Sequence, residues 1–338
     1  MNELVSPAQA NALIEAGKFL HIAGDETALH QLRRGAWIGG TIPYFLTHAG
    51  GVVERHKVFV TQLPDAVTSV TTRLIDFGHI PAIATEAPHH GFSIVIAPGM
   101  SDIHTTYALT ANSIPGIHDT PIVGWIAGVH LDDIGKIAPK VFDGVTGEAA
   151  DNRIVVMHAT LSNAKIATLG IVNLFEPGPG DEIVFEQPSF SAGICTVNGK
   201  PDDFYDYAVR KSLDVTLPLI TELSGQNINV SIQAIDAENR KVKFYAPVMK
   251  GRVYRQAAPL PDYRAALVGA TEKLNLSPAF SCNCILNYLY GRLEGEQFIP
   301  VSGPATFGEL AHVLMNQTLV YLSVQDKPHA RGPAIPSP

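Results

Sequence analysis

The chain has 338 residues, 46% of them hydrophobic and 17% charged, against roughly 25% charged in an average globular protein. That balance leaves ample apolar material for buried sheets and excludes a disordered acidic or basic tail protein. Twenty-four Lys and Arg against 32 Asp and Glu give a net charge of -8, which excludes the basic stripe of a nucleic-acid binder.

Residues 7–17 carry apolar positions at helical spacing (Ala10, Leu13, Ile14), with Ser6 placed to cap the helix ahead of Pro7. Residues 36–38 read as a short strand that breaks at Gly39-Gly40-Thr41, and residues 57–63 as an alternating strand ending at Pro64. After a helix-like stretch, residues 91–98 form a continuous apolar run of strand length. A helix is expected near residues 103–112, and a strand over residues 121–128 that again breaks into glycines. Residues 141–144 and 153–160 read as a pair of strands closing this half. The strand-to-glycine pattern Trp37-Ile38-Gly39-Gly40 recurs as Ile122-Val123-Gly124-Trp125, which suggests internal duplication.

Glu176-Pro177-Gly178-Pro179-Gly180-Asp181-Glu182 is the strongest punctuation, because two X-Pro bonds and two glycines oppose helix. It marks an expected boundary. Beyond it come strands, a hairpin turn at Asn198-Gly199 and a helix over residues 202–213. Paired strands are expected at residues 228–234 and 241–247. A helix over 264–274, a short strand over 279–282, a helix over 286–294 and a last strand over 319–324 complete the pattern. The expected architecture is α/β with layered mixed sheets flanked by helices. Its divisions are an N-terminal helical segment (1–27), two domains (28–178 and 179–326) and a frayed tail (327–338).

No apolar stretch approaches the roughly 20 residues of a membrane helix, and residues 1–24 lack the pattern of a secretory leader. Three cysteines (Cys195, Cys282, Cys284) are an odd count, unlike a secreted disulfide framework. These features predict a cytoplasmic protein with neither nucleic acid nor membrane as partner.

Four pieces of the second half occur in a suggestive order: Phe280-Ser281-Cys282, then Ser302-Gly303-Pro304-Ala305-Thr306-Phe307-Gly308-Glu309, then Met315-Asn316-Gln317-Thr318, then the closing strand. This order resembles the C-terminal domain of the F-box and intracellular signal transduction (FIST) sensory family. The turns at Ile38-Gly39-Gly40-Thr41 and Pro121–Gly128 are similar in layout to the family's N-terminal domain, and Val197–Pro201 leading into a helix with Tyr205 looks like its link between halves. The family commonly follows Ser-Cys with glycine and arginine, whereas here Asn283-Cys284-Ile285 intervene. The resemblance implies a two-domain sensor of a small ligand, haem in some members, which signals through a partner protein. A small amino-acid-like metabolite is the other ligand expected, and a homo-oligomer is compatible with this reading. The contacts expected to bind the ligand or cofactor are Gly39, Gly40, Thr41, Trp125, Asn316, Gln317 and Thr318, with Cys282 and Glu309 beside them.

A second reading is a cysteine-dependent or metal-dependent enzyme acting on a small amide or acyl substrate. A thiolate is both a nucleophile and a soft metal ligand, and Cys282 and Cys284, two apart on a strand, face one side. Glu309 and His312, three apart, would share a helical face. That makes Cys282, Glu309 and His312 the catalytic candidates, and Cys282, Cys284 and His312 the metal candidates. Weighed against this, free cysteines are mostly buried hydrophobes, and Glu309 after Gly308 also suits the first turn of a helix. Thirteen histidines invite metal or haem binding without singling one out. Nucleotide-binding glycine fingerprints, His-Glu-x-x-His and Gly-x-Ser-x-Gly are absent, and Ser162-x-x-Lys165 lacks its companion motifs.

Overall fold

A computed structural model describes residues 1–223, 225–274, 278–295 and 301–327; the expected tail beyond 327 lies outside the described residues. The chain is a mixed α/β protein whose strands form four six-stranded sheets and one three-stranded sheet.

The first sheet is ordered Asn2–Val5, Val58–Gln62, Leu20–Gly24, Trp37–Thr41, Val141–Asp143, Glu148–Ala150. Between its first strands lies the helix Pro7–Glu15, started by a capping box in which Ser6 and Gln9 satisfy each other's backbone N–H groups. Residues 1–27 are therefore part of this sheet, and not a helical segment apart. The strand over 37–41 runs through Gly39 and Gly40 without breaking, because its neighbours come too close for a side chain. A Cβ on Gly39 would lie 2.6 Å from the Ile22 carbonyl oxygen, and one on Gly40 would lie 2.8 Å from Ile96 and 2.9 Å from Trp125.

The second sheet is ordered Val313–Met315, Glu309–Ala311, Ile122–Ala127, Gly91–Pro98, Ile154–Leu161, Val67–Ile75. Gly91–Pro98 and Ile122–Ala127 are parallel, joined through the helix Asp102–Thr110, which Ser101 caps. Their uninterrupted apolar runs fit this buried central place. The expected pairing of residues 141–144 with 153–160 is not made: the first segment pairs with Trp37–Thr41 and the second with Gly91–Pro98. Much of the stretch expected to be helix-like after Pro64 is the edge strand Val67–Ile75.

The third sheet is ordered Lys165–Asn173, Thr318–Asp326, Phe280–Cys284, Gly303–Thr306, Tyr44–Thr47, Gly50–Val53. It and the second sheet each take strands from both sides of residue 178, so the expected boundary does not divide the chain into two separately sheeted halves. The fourth sheet (Lys200–Asp203, Ile194–Val197, Ile183–Phe185, Val253–Gln256, Leu219–Leu223, Gln226–Val230) and the small fifth sheet (Ser189–Ala192, Lys241–Val248, Ile232–Asp236) lie wholly within residues 179–326. At the centre, His21, Trp125 and Phe280 bring the first three sheets together. The Trp125 indole N–H donates to His21 Nε2 at 2.7 Å, and the Phe280 ring meets His21 edge-on.

Among the described residues no helix is long and apolar enough to cross a membrane.

Candidate functional site

Residues 303–318 leave the third sheet, cross into the second and return. Gly303–Thr306 belongs to the third sheet; Glu309–Ala311 and Val313–Met315 form a hairpin on the edge of the second, pairing with Val123–Trp125; Thr318 starts the long strand back in the third. Glu309 and Thr318 sit at the base of this excursion, facing Cys284 at the end of Phe280–Cys284.

Glu309 is fully buried. Its Oε2 accepts from the Thr318 hydroxyl at 2.9 Å and the Thr318 N–H at 3.2 Å, and its Oε1 lies 3.4 Å from the Thr306 hydroxyl. No cation of the described residues pairs with it, so desolvation outweighs these hydrogen bonds and pushes its pKa up to about 8. At neutral pH it is mostly a neutral acid. Its proton can then point from Oε1 to Thr306, whose own hydroxyl has Gly308 O at 3.0 Å to donate to.

The two thiols lie against this carboxyl. Cys282 donates from Sγ to the Gly124 carbonyl at 3.3 Å. Cys284 lies beside the Glu309 side chain, with the backbone of Leu286 and Gln317 near its sulfur. Burial first, and the neighbouring Glu309 second, push both thiols well above the usual cysteine range. Tyr245, Tyr263 and Tyr290 lie near enough for the Cys284 charge to raise their hydroxyls further, after burial, with Tyr290 41% exposed. Asn283 accepts at Oδ1 from the Cys284 N–H and Asn287 Nδ2, both at 2.8 Å. Its Nδ2 has no partner within hydrogen-bonding distance and faces the Tyr263 hydroxyl. Asn287 Oδ1 and Ser302 Oγ nearby are also buried without a partner.

Of the residues singled out from sequence, Cys282, Cys284, Glu309 and Thr318 converge. Asn316 and Gln317 adjoin them but are used to stitch the fold. Gln317 Oε1 accepts from Ser231 Oγ at 2.6 Å, Gln317 Nε2 donates to Thr216 O at 3.0 Å, and Asn316 Oδ1 accepts from the Ser231 N–H at 3.4 Å. Gly39 and Gly40 are packing positions, Trp125 is a core residue, and Thr41 accepts from the Lys140 N–H at its hydroxyl.

Glu309 and His312 do not share a helical face. They lie on a strand and its hairpin turn, three residues and so about 10 Å apart along the chain. The Cys–His–Glu constellation is thus not assembled, and His312 is not placed with the cysteines as a metal ligand. Among the described residues no group of three or more His, Cys, Asp or Glu side chains is placed to hold a metal ion.

His312 opens instead on a cleft of about 500 Å³ with His118 and the apolar side chains Leu169, Ile171, Ile228 and Val313. The cleft thus offers one partly buried imidazole, His312, among apolar side chains. His118 and His312 are too close to lie trans across one ion, with ring centres 4.9 Å apart.

Tyr245, Tyr263, Tyr290, Asn287 and His118 were not singled out from sequence. Asn287 and Tyr290 lie on the helix Ile285–Tyr290 that follows Cys284, three and six residues beyond it, a local signal the motifs did not use; Tyr245, Tyr263 and His118 come from other elements with no such spacing.

A family of unknown function, DUF6976, has a model that matches residues 5–325. The chain belongs to this family. No curated protein and no solved structure matches it. DUF6976 carries no assigned chemistry, so the function is argued from the residues.

Proposed function

We propose that this DUF6976 chain is a binding protein for a small polar ligand bearing an amino group, serving as the receptor part of a sensor. The observation that carries this is Glu309: a fully buried acid with no basic partner among the described residues, beside orphaned amide and hydroxyl groups. Buried polar groups are nearly always satisfied, and unpaired ones concentrate where function has displaced stability. An ammonium group brought to Glu309 would return it to the carboxylate form, and tyrosine faces such as Tyr245, Tyr263 and Tyr290 favour cations. Ligand affinity would be coupled to the position of residues 303–318, which touch both sheets, and a partner protein would read that position. A hinge at residues 176–182 is a poor transmitter, because closing it would pull Gly303–Thr306 from Tyr44–Thr47. A haem, where bound, supplies gas or redox-responsive ligation, and His312 is the side chain that would hold it.

The test is a thermal-shift screen of amines and amino acids, followed by calorimetry on the hits. Binding of an amine that is lost in Glu309→Gln supports the reading. A panel without hits, or a hit indifferent to Glu309→Gln, rejects it.

One observation favours a second reading as an acyl- or amide-processing enzyme. Cys284 sits at a strand-to-helix junction beside the Glu309 carboxyl, which at neutral pH holds a proton it could give to a leaving group. Turnover abolished by Cys284→Ser would support it; turnover surviving Cys282→Ser/Cys284→Ser would end it.

A further inference from the structure

We propose that His118 and His312 form a binding site for a divalent transition-metal ion of the Zn²⁺, Ni²⁺ or Cu²⁺ class, at the mouth of the cleft described above and separate from the Glu309 site.

The geometry of His312 argues for a ligand. It is the turn residue of the hairpin Glu309–Met315 and adopts a left-handed backbone, φ 61°, which is uncommon for a non-glycine residue. That conformation is held from three sides. The His312 N–H donates to Ile122 O at 3.0 Å, its carbonyl accepts from the Tyr107 hydroxyl at 2.9 Å, and its Nε2 lies 3.2 Å from Thr120 O. A backbone carbonyl can only accept, so Nε2 carries the proton and Nδ1 keeps the lone pair. This is the arrangement of a metal-binding histidine, whose second nitrogen donates to a carbonyl that fixes tautomer and orientation.

The spacing of the rings agrees. A metal–nitrogen bond of about 2.1 Å places an imidazole centre about 3.2 Å from the ion. Two cis ligands at angles between square and tetrahedral then have ring centres about 4.5–5.2 Å apart. The observed separation is 4.9 Å, with the planes at 72°. His118 is exposed on the loop before Thr120, so its ring can make the small rotation that aims a nitrogen at the same point.

The ion class follows from the donors. Two imidazoles with no carboxylate among the residues lining the cleft select borderline transition metals over Mg²⁺ and Ca²⁺. The remaining coordination positions face the cleft, where water or the Gln226 side chain can complete the shell.

The test is calorimetric titration of the full chain, stripped with chelator, with Zn²⁺, Ni²⁺ and Cu²⁺ salts, compared with His118→Ala, His312→Asn and, as control, the distant His56→Ala. Asparagine tolerates the left-handed backbone at 312, so that variant is expected to fold, and its circular dichroism checks this. Expected is one ion per chain, with affinity falling at least about tenfold in each of His118→Ala and His312→Asn and unchanged in His56→Ala. No saturable binding of any of the three ions, or an affinity indifferent to both cleft variants, overturns the site. Hemin binding that depends on His312 but not on His118, with no response to the free ions, also overturns it in favour of a singly ligated haem.

Discussion

Thr318 clasps Glu309 twice, through its hydroxyl at 2.9 Å and its main-chain N–H at 3.2 Å, and so joins the second strand of one sheet to the second strand of another. Both donors favour the carboxylate, yet burial favours the acid and wins, with a pKa pushed up to about 8. Between an unfolded value near 4.5 and that folded value, the native chain holds a proton that the unfolded chain releases. Glu309 therefore stabilises the fold least at alkaline pH, and stability is lost as pH rises through 8.

Four histidines act in the opposite direction. Burial lowers His21 to about 3 and His104 to about 4, and lowers His158 and His312 from the ordinary 6.5. Here the unfolded state binds more protons, so stability falls as pH drops below 6.5. Urea unfolding across pH 4 to 9 should thus show a maximum near pH 6.5. The decline from there to pH 8.5 amounts to at most a few kcal/mol and should flatten in Glu309→Gln. A decline of equal slope in that variant would assign it to another group.

The thiols should be inert in the native state. Cys195, Cys282 and Cys284 are all buried, and burial pushes Cys195 up to about 12 and the other two well above the usual range. Thiolate is the reacting species, so a disulfide reagent at pH 8 should label the chain only at its rate of opening. Fast, stoichiometric labelling of Cys284 in the folded chain would instead favour the enzymatic reading.

What the sequence made legible was local. Ser6 before Pro7 marked a real helix start, because the capping box closes within a few residues, and Asn198-Gly199 marked a real hairpin, whose left-handed turn those two residues accept readily. The apolar run 91–98 was legible because a doubly covered strand needs no alternation. Glu309-Leu310-Ala311-His312 misled, since a Gly-Glu start is equally good for a helix or a strand. The choice was made by pairing with Val123–Trp125, nearly two hundred residues earlier in the chain. The candidate site was half legible for the same reason. Cys284, Glu309 and Thr318 occur in motifs, and Tyr290 is on the helix after Cys284, but Tyr245 and Tyr263 are joined to the site only by the fold.

Gly40 was read as a strand-breaking turn and is instead a contact position. Gly40→Ala places a methyl group 2.8 Å from Ile96 Cγ2 and 2.9 Å from the Trp125 ring, both fully buried. Such overpacking should cost about 1–3 kcal/mol in chemical denaturation. The Trp125 ring must shift with its bond to His21, so the fluorescence of the folded variant should change as well. A variant of unchanged stability would mean that the first and second sheets can separate slightly at this point.

Gln317 tests whether the predicted polar run binds ligand or holds the fold. Its side chain bridges Ser231 and Thr216, and its carbonyl accepts from Asn229 Nδ2 at 3.3 Å. It does so from a left-handed backbone with φ 51°. Gln317→Ala removes both bridges and leaves the Ser231 hydroxyl buried without this partner, a cost of about 1–3 kcal/mol. Gln317→Gly loses the same bridges but relieves the backbone, since glycine takes positive φ without steric cost. In urea titrations glycine should therefore be the milder substitution, which is the reverse of the order in a helix or strand. In the amine screen both variants should keep the Glu309-dependent hit, because Gln317 holds the turn and does not line the carboxyl. Loss of that hit in a fully folded Gln317→Gly chain would place the Gln317 side chain in the binding site itself.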